Sequence, residues 1–401
     1  MRILLLNLYY PPDTSATAKM AETVVEALSA RHDVTVLCGR PSYDPMERRP
    51  WRLWQTEVTG RVRITRVGST DYPRLAMKRR VLNYLSYVAL SIPRSLFLPC
   101  DLVLAMTDPP FEGIVGAAVA LLKNKPYVYN IRDMYPDMAL GGAIVPPGLL
   151  ARIWERLHRS ALRRARRVIV LGEDMRARII AKGVDPAGIE IVRDGAAILP
   201  PDAPPPALDA EIIRTIRGEY NFVLVHAGNI GFYGAWETLI TAVRGLAEDG
   251  VGLVFVGEGA QRKRVETLAG GIKNVRFLPF FPANRIPSVL AAPDAHVITV
   301  KRGLEGVVVP SKMYEILAAG KPIVAVAPEE TDAASLGAKF GFAVSADPDI
   351  PEKVATTIRS LVVDKAKLQS MGRAARAAAP DYDRVKELQK FVKIIEEAVS
   401  A

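Results

Sequence analysis

One structural pattern occurs twice in the chain, and it restricts the fold more than any other feature. Near the start, an apolar strand at residues 3–8 is followed by a turn-rich loop, an amphipathic helix over residues 18–30 and a second strand at 34–38. About 220 residues later the same order begins again, with a strand at 222–226 and a helix over 235–246. A strand, a helix and a strand in this order open a doubly wound parallel sheet. The chain is therefore predicted to be an α/β protein with two Rossmann-like domains rather than a solenoid.

A proline-rich segment marks the predicted boundary between the two domains. The segment ILPPDAPPPALDAE lies between the repeats, and proline fixes the backbone and removes hydrogen-bond donors, as is typical of a stiff surface linker. We expect a first domain over residues 1–200 and a second over residues 207–380, which fits a chain of 401 residues. The pattern of residues 381–401 predicts an amphipathic helix that packs back on the first domain.

The composition limits the classes of protein to which the chain can belong. With 49% hydrophobic and 24% charged residues, large cores are expected and extensive disorder is not. Two cysteines argue against a disulfide-stapled secreted protein, and the apolar start is interpreted as a strand rather than a signal peptide. The four histidines are dispersed without metal-ligand spacing, so no metal site is predicted. These features favour a cytoplasmic protein.

The charge balance leaves several kinds of partner open. A formal net charge of +10 is compatible with nucleic acid, with an anionic membrane surface or with anionic substrates. No nucleic-acid-binding module is recognisable, so nucleic acid is not an expected partner. Arginines are densest over residues 152–167.

A second basic cluster, Lys78-Arg79-Arg80, precedes a long apolar stretch. Pro93 and Arg94 interrupt this stretch, so it is a poor membrane span. As a helix it places four apolar side chains on one face: Leu82, Leu85, Ala89 and Ile92. Two interpretations remain open. One is a core-facing helix with a solvated basic end, and the other is a helix that rests on an anionic membrane, which would be the inner face of the plasma membrane.

The segment Leu304–Val324 carries the clearest chemical signal. A glycine turn with Glu305 and Gly306 precedes Lys312, and Glu315 follows on a predicted helix that ends near Gly320. Backbone N–H groups at a helix start and a lysine suit a phosphate, whereas a carboxylate one turn further suits a pair of ribose hydroxyls. The segment therefore predicts a site for a nucleotide diphosphate.

Loops after other predicted strands are further candidates, because open α/β sheets bind ligands at the carboxyl ends of their strands. Gly228-Asn229-Ile230-Gly231 allows a phosphate to approach the backbone, although a plain tight turn explains it equally well, and Gly257-Glu258-Gly259 favours a turn. Lys301 and Arg302 form either a diphosphate clamp or part of a solvated loop.

In the first half, Asp133 follows an apolar strand and either contacts an acceptor hydroxyl or caps the next helix. The loop from Tyr10 to Thr17 is expected to face it. Two Asp-x-Asp tripeptides, Asp347-Pro348-Asp349 and Asp381-Tyr382-Asp383, are interpreted as helix starts rather than metal ligands.

These motifs together resemble a known enzyme family. The second half, from AGNIG through VGEG and FLPF to GLEGVVVPSKMYEILAAGKPIVA, resembles retaining glycosyltransferases of the GT-B fold. The first half agrees through LYYPPD, GRPSYDP, TDPP, NIRDMYPD and RRARRVIVLGEDMRARI. The chain is most similar to family 4, in the branch that makes bacterial O-antigen, capsule and exopolysaccharide.

The resemblance implies a sugar nucleotide, UDP- or GDP-linked, on the second domain and a glycan or polyprenyl-diphosphate-linked acceptor on the first, with the domains facing across a cleft. It implies that Glu315 holds the ribose and that backbone at Phe277 and Leu278 frames the base. The remaining implied donor ligands are Gly228, Asn229, Gly231, Lys301, Arg302, Leu304, Gly306, Val307, Val308 and Lys312. Arg132, Asp133 and Glu305 would lie near the reacting centre, and Tyr10, Ser15 and Ala16 on the acceptor side.

The sequence departs from the family pattern at several of these positions. Val307 stands eight residues before Glu315, where the family has a second glutamate. Arg132-Asp133 replaces a His-Asp pair, Ser15-Ala16-Thr17-Ala18 replaces a glycine pair, and Asp194 replaces an asparagine. The donor-sugar and acceptor contacts are therefore expected to differ from the usual ones.

The family retains anomeric configuration without a metal or a resident cofactor, by front-face attack in which the leaving phosphate takes the acceptor proton. Cations and helix-start N–H groups can stabilise that leaving group. One alternative with the same fold is a UDP-sugar 2-epimerase, which would need acid/base carboxylates and histidine in the cleft. Another is a non-enzymatic two-lobed ligand-binding protein, which predicts a signal peptide and export.

Overall fold

The computed structural model of the protein describes residues 1–42, 50–72, 77–200, 202 and 204–400, with backbone only for Met77 and Lys78. The contacts divide the chain into two compact units. The first unit contains residues 1–171, 175–192 and 388–401, and the second contains residues 172–174 and 193–387. Parts of three predicted features lie outside the described residues: Tyr43-Asp44-Pro45 of one motif, the side chain of Lys78, and Pro201 and Ala203 of the linker.

The first unit is built on one sheet, with eight strands among its described residues in the order β3-β4-β2-β1-β5-β6-β7-β8. Neighbouring strands run parallel, except that β3 is antiparallel to β4. The strands are β1 Arg2–Leu6, β2 Asp33–Cys38, β3 Trp54–Thr59, β4 Val62–Val67, β5 Leu102–Ala105, β6 Tyr127–Asn130, β7 Arg167–Val170 and β8 Ile189–Ile191. Most are short continuous apolar runs, as parallel strands covered on both faces require.

Helices cover this sheet. They are α1 Ala16–Ser29, α2 Met77–Leu96, α3 Glu112–Lys123, α4 Asp137–Gly141, α5 Leu149–Arg164, α6 Glu173–Ala181 and the final helix α15 Arg384–Ser400. Phe391 and Ile395 of α15 pack in one core with Ile3 and Leu5 of β1 and with α1. The sheet of the first unit therefore shares its core with the end of the chain.

Helix α2 differs from an ordinary surface helix in which of its side chains are buried. Its buried side carries polar and tyrosine side chains, namely Asn83, Tyr84, Tyr87, Ser91 and Ser95. Leu82 and Leu85 remain 48% and 54% exposed, and Ala89 is exposed as well. The prediction that Leu82, Leu85 and Ala89 face the core is therefore wrong, because these residues are exposed and the buried side carries hydrogen-bonded Asn83 and Tyr87 instead.

The second unit contains a parallel sheet of six strands among its described residues, in the order β11-β10-β9-β12-β13-β14. The strands are β9 Phe222–Ala227, β10 Val251–Val256, β11 Val275–Leu278, β12 Ala295–Thr299, β13 Ile323–Val326 and β14 Ala343–Ala346. The helices are α7 Ala210–Arg217, α8 Trp236–Arg244, α9 Arg262–Leu268, α10 Ile286–Ala291, α11 Lys312–Ala318, α12 Asp332–Phe340, α13 Pro351–Val363 and α14 Lys365–Ala378. The prediction of an α/β fold with two Rossmann-like sheets is confirmed.

Two histidines belong to the core of the second unit. His226 lies in β9 and His296 in β12, and burial lowers the pKa of each to about 4. Each ring nitrogen contact is to a backbone carbonyl, from His226 to Val297 and from His296 to Leu290. Both imidazoles are therefore neutral at neutral pH and serve packing. In the described ranges, no helix has the length and apolar character needed to cross a bilayer.

Candidate functional site

The predicted donor residues lie along one edge of the second sheet. The carboxyl ends of β11, β10, β9 and β12 are neighbours at this edge because these strands are parallel and adjacent. The loops that follow them contain residues 228–235, 257–261, 279–282 and 300–311. Helix α11 begins directly after the last of these loops and carries Lys312 and Glu315.

Glycines allow two of these loops to pack against each other. Gly257 has a φ of +147°, and a Cβ at this position would lie 2.0 Å from the Gly228 carbonyl oxygen. The Ile230 N–H donates to the Glu258 carbonyl at 2.8 Å. A Cβ at Gly228 would meet Lys312 Cγ at 3.8 Å, so the first glycine loop borders the lysine side chain. Close packing explains Gly257, whereas Gly228 leaves open space beside Lys312.

The strand that was expected to frame a base is held by hydrogen bonds that the sequence did not reveal. The Leu278 carbonyl accepts from the Gly257 N–H at 3.1 Å and from Arg262 at 3.2 Å. The Phe277 ring stacks on Phe255 in the core, 4.8 Å between centroids. Phe280, two residues beyond the strand, is exposed beside Gly257 and is an aromatic surface that the motif FLPF contained without being singled out.

The loop after β12 has a defined backbone. Its Lys301 N–H donates to the Tyr233 carbonyl at 2.7 Å, and Gly306 adopts a φ of +65°. Glu305 accepts from the Gly303 N–H at 2.7 Å, whereas the Val307 side chain is fully buried. Leu304 is also buried, and Val308 is half-buried. Val307 is thus a packing residue at the position where the family has an acid.

Arg302 is directed away from a phosphate role in this structure. Its guanidinium pairs with Asp347 at 2.9 Å and with Asp349 at 2.5 Å. The Asp349 N–H and then the Arg302 guanidinium hold the pKa of Asp347 below its usual range.

The interpretation of Asp347 and Asp349 as helix caps is wrong, because α13 begins at Pro351 and Ile350 is its cap residue. At the other tripeptide, Asp383 does cap α15 by accepting the Val385 N–H.

Lys312 and Glu315 form the polar centre of the edge. Lys312 Nζ lies 2.8 Å from Glu315 Oε2, and Arg384 of α15 lies 3.7 Å from Glu315 Oε1. Met313, Tyr314, Ile316 and Leu317 are buried and anchor the helix that carries the pair. Arg384 was not predicted, because it is about 70 residues away in sequence.

The first unit places its predicted residues at the carboxyl edge of its own sheet. Arg132 and Asp133 follow β6 and are half-buried. Asp133 does not cap the next helix, because α4 begins at Asp137 with Pro136 at its cap. Ser15 accepts the Ala18 N–H at 3.0 Å and caps α1, Ala16 is exposed as the first residue of that helix, and Tyr10 is buried. The loops after β1 and β6 are separated by β5.

A buried carboxyl lies beneath this edge and was missed by sequence reasoning. Glu112 begins α3 and is fully buried, and burial raises its pKa well above the usual range. Tyr87 Oη lies 2.9 Å from Glu112 Oε1 and 3.0 Å from the Leu37 carbonyl oxygen. A phenol has one hydrogen, so both contacts are hydrogen bonds when the carboxyl is neutral and donates. This network fixes the inner face of α2.

The second edge can bind an anionic ligand that also carries hydroxyls. Lys312 and Arg384 supply positive charge, and Glu315 can accept hydroxyl hydrogens. Glycine at position 228 admits a ligand close to the backbone. In the part of the chain that the structure describes, no group of three or more His, Cys, Asp and Glu side chains is arranged to hold a metal ion.

Comparison with known proteins identifies the family. The family model described as a glycosyl transferase 4-like domain matches residues 15–195, and the model of glycosyl transferases group 1 matches residues 211–378. The matched residues cover most of both units, including all of the candidate donor ligands.

Individual relatives agree. The chain is 25% identical over 387 residues to the putative colanic acid biosynthesis glycosyl transferase WcaI of Escherichia coli K12, covering 90% of this chain and 92% of that protein. It is 25% identical over 304 residues to the probable glycosyltransferase WbjE of Pseudomonas aeruginosa, covering 75% of each. The crystal structure of Anabaena Alr3699/HepE in complex with UDP-glucose has the same fold, with a TM-score of 0.69, 19% identity and coverage of 99% of this chain and 100% of that one. The chain is a GT-B glycosyltransferase of family 4.

Proposed function

We propose that the protein transfers a sugar from a nucleotide-sugar donor to a glycan or lipid-linked acceptor during synthesis of a bacterial surface polysaccharide. The observation that carries the proposal is the Lys312–Glu315 pair beside the glycine loop at Gly228. One relative is named as a putative colanic acid biosynthesis glycosyl transferase and another as a probable glycosyltransferase, and these names support the polysaccharide context.

The donor is proposed to be a UDP-sugar, with a GDP-sugar as the alternative. The structures of HepE with UDP and with UDP-glucose support the first choice. Glu315 accepts hydrogens from the ribose hydroxyls, and Lys312 and the backbone at Gly228 and Gly231 meet the diphosphate. The backbone of residues 304–308 follows the donor sugar. Lys301 is a better diphosphate cation than Arg302, because Arg302 is already paired with two carboxylates.

The reaction is proposed to proceed with retention and without a metal. The bond between the anomeric carbon and the leaving phosphate oxygen breaks, and the electron pair stays on that oxygen. The acceptor oxygen bonds the same carbon from the same face, and its proton passes to the leaving phosphate. Lys312 and backbone N–H groups stabilise the charge that develops. No resident cofactor is needed for this chemistry.

The acceptor is proposed to bind the first unit. Asp133 and Arg132 lie nearest the reacting centre in this proposal, with Tyr10, Ser15 and Ala16 on the acceptor side. Glu305 is proposed as the carboxylate near the donor sugar, because Val307 is buried and apolar. Ala16 is exposed and Asp133 is half-buried, and both follow strands at the carboxyl edge of the first sheet.

The protein is proposed to work in the cytoplasm, peripherally bound to the inner face of the plasma membrane. The exposed apolar face of α2 supports this location, since Leu82 and Leu85 are about half exposed. Flotation of the protein with vesicles tests the proposal. Binding that increases with anionic lipid supports it, and an absence of binding with and without anionic lipid refutes it.

The catalytic proposal is tested by thermal-shift screening across UDP- and GDP-sugars, followed by transfer to a lipid-diphosphate-linked sugar in the presence of EDTA. The expected result is stabilisation by one nucleotide sugar and formation of a product whose anomeric proton has the donor's configuration. An inverted product or a reaction abolished by EDTA would contradict the proposed mechanism. Failure of every nucleotide sugar to bind would contradict the proposed function itself.

A further inference from the structure

Helix α5 and the loop before it carry an exposed apolar surface. Leu149 and Leu150 are 67% and 80% exposed, and Ile144, Ile153 and Leu157 are exposed as well. The buried side of the same helix is made mainly of smaller or polar residues, Ala151, His158 and Ala161, together with Leu162. Apart from Leu162 and Trp154, which packs against Phe111 and Tyr135, the large apolar side chains of α5 therefore lie on its exposed side.

A row of arginines borders this apolar surface. Residues 152, 156, 159 and 163 are all exposed arginines, and their spacing of four, three and four places them along one side of the helix. Leu149, Ile153 and Leu157 are spaced four residues apart and lie next to the arginines on the helix surface, so the exposed half of α5 has an apolar stripe beside a basic stripe. Arg159 pairs with Glu155 at 2.6 Å. In the part of the chain that the structure describes, the other three arginines form no ion pair.

The charge of this surface selects its partner. Exposed leucines alone would fit a second copy of the chain or another protein. A two-fold contact through α5 would, however, bring the same uncompensated arginines of two copies together, in a chain of net charge +10. A bilayer with anionic headgroups offers an apolar interior for the leucines and negative charge for the arginines at the same time.

We propose that the loop of residues 143–148 and the first half of helix α5 form a membrane-docking face, with Leu149 and Leu150 in the acyl boundary and Arg152 and Arg156 on anionic headgroups. The proposal deepens the membrane association proposed above and rests on it for the class of partner. It assigns the main contact to an element other than α2.

The position of α5 gives the docking face a consequence for the acceptor. Helix α3 contacts both α2 and α5, so the three helices are neighbours on one side of the first sheet. Both α2 and α5 begin after the carboxyl end of a strand, at the edge where Asp133 lies. Docking through the first turns of these helices therefore brings that edge to the lipid surface, where a lipid-linked acceptor would present its sugar.

The test is sedimentation of the full chain with vesicles of phosphatidylcholine alone and of phosphatidylcholine with phosphatidylglycerol at about 3:1. Leu149→Ser/Leu150→Ser should reduce the partition coefficient roughly 10- to 100-fold on the anionic vesicles. Arg152→Ser/Arg156→Ser should reduce it about tenfold or more on anionic vesicles, with little effect on neutral ones. Because all four side chains are exposed, the thermal unfolding midpoint should change little.

Matched controls come from exposed residues of the second unit. Val363→Ser/Val385→Ser removes two exposed apolar side chains, and Arg373→Ser/Arg376→Ser removes two exposed arginines. Neither control pair should change vesicle binding. Equal losses in the α5 variants and the controls, or no loss in the α5 variants, would overturn the proposal.

Light scattering separates the proposal from self-association. A dimer that disappears in Leu149→Ser/Leu150→Ser while vesicle binding is kept would assign the surface to a second copy and overturn the membrane assignment. Nucleotide-sugar binding is measured without vesicles in the same variants and should be unchanged. A failure of the docking face is thereby distinguished from a failure of the proposed glycosyl transfer.

Discussion

Lys312 Nζ lies 2.8 Å from Glu315 Oε2 on the first turn of α11. The cation proposed for the diphosphate and the carboxylate proposed for the ribose are thus neutralised by each other before a donor binds. A partly exposed pair of this kind contributes only about 0–1 kcal/mol to stability. A donor can therefore exchange the pair for its own hydroxyls and phosphates at little cost, and the Lys312 side chain already lies beside Gly228.

Replacement of Lys312 by Met should weaken binding of UDP about 10- to 100-fold, because a charge-assisted contact to phosphate is lost. Uridine, which has no phosphate, should bind the variant as it binds the original protein. Isothermal titration with the two ligands measures both effects. Arg373→Met, on the exposed face of α14, is the matched control and should alter neither affinity. A parallel loss of uridine affinity would argue against a phosphate contact at Lys312.

Gly257→Ala should destabilise the second unit by about 2–4 kcal/mol. The added Cβ would lie 2.0 Å from the Gly228 carbonyl oxygen, and the φ of +147° disfavours any side chain. Because the two glycine loops must separate, nucleotide binding should be lost as well. Urea unfolding and nucleotide titration are the measurements.

Gly245→Ala gives the control for this change within the same unit. Gly245 has a φ of −72°, and its nearest neighbour to a new Cβ is a carbonyl oxygen at 3.6 Å. This variant should retain both stability and binding. Similar losses in the two variants would show that loop packing at Gly257 is not the cause.

The second unit should lose stability as the pH falls from 6.5 toward 4. Burial lowers the pKa of His226 and of His296 to about 4, whereas the unfolded imidazoles titrate near 6.5. In this window the unfolded chain binds more protons, so the free energy of unfolding decreases, by up to about 3 kcal/mol for each histidine.

His296→Gln should remove about half of that pH dependence. Urea unfolding can be followed by the fluorescence of Trp236, whose ring lies 4.9 Å from that of His226, after Trp51, Trp54 and Trp154 are replaced by Phe. The slope of unfolding free energy against pH is compared in the two proteins. An unchanged slope in His296→Gln would contradict the neutral, buried state of this histidine.

Glu112→Gln should become relatively more stable than the original protein as the pH rises. Burial keeps Glu112 neutral in the folded state, whereas it ionises on unfolding above its ordinary pKa. Its contribution to stability is thus full below that ordinary pKa and declines with pH, by about 1.4 kcal/mol per unit. Urea unfolding at pH 5 and pH 8 in a Trp236→Phe background reports on the first unit, with Glu26→Gln on exposed α1 as control. A stability difference that does not grow with pH would show that Glu112 is ionised in the fold.

The fold could be predicted from the sequence because the strands and turns of each sheet follow from local sequence patterns. Apolar runs such as those of β9 and β12 and the glycines that follow them specify strands and turns without knowledge of distant residues. The proximity of Lys312 and Glu315 could be expected from the sequence for the same reason, since residues three apart on a helix are neighbours.

Contacts between distant residues could not be predicted in this way. Arg302 pairs with carboxylates about 45 residues away, and Arg384 approaches Glu315 from the final helix. The sequence also did not predict which side of α2 is buried. Its apolar periodicity suggested that Leu82 and Leu85 face the core, whereas the hydrogen bonds of Tyr87 and Asn83 lie on the buried side. Polar groups that are satisfied by distant partners leave no periodic signal in the sequence.

The most direct test of the account is the dependence of nucleotide affinity on Glu315 and on the ribose hydroxyls together. The dissociation constants of UDP and of 2′,3′-dideoxy-UDP are measured for the original protein and for Glu315→Gln. The account predicts that the substitution weakens UDP about 10- to 100-fold and leaves the dideoxy nucleotide unchanged, because only UDP offers hydroxyls to the carboxylate. An unchanged affinity for UDP in Glu315→Gln would contradict the assignment of the donor site.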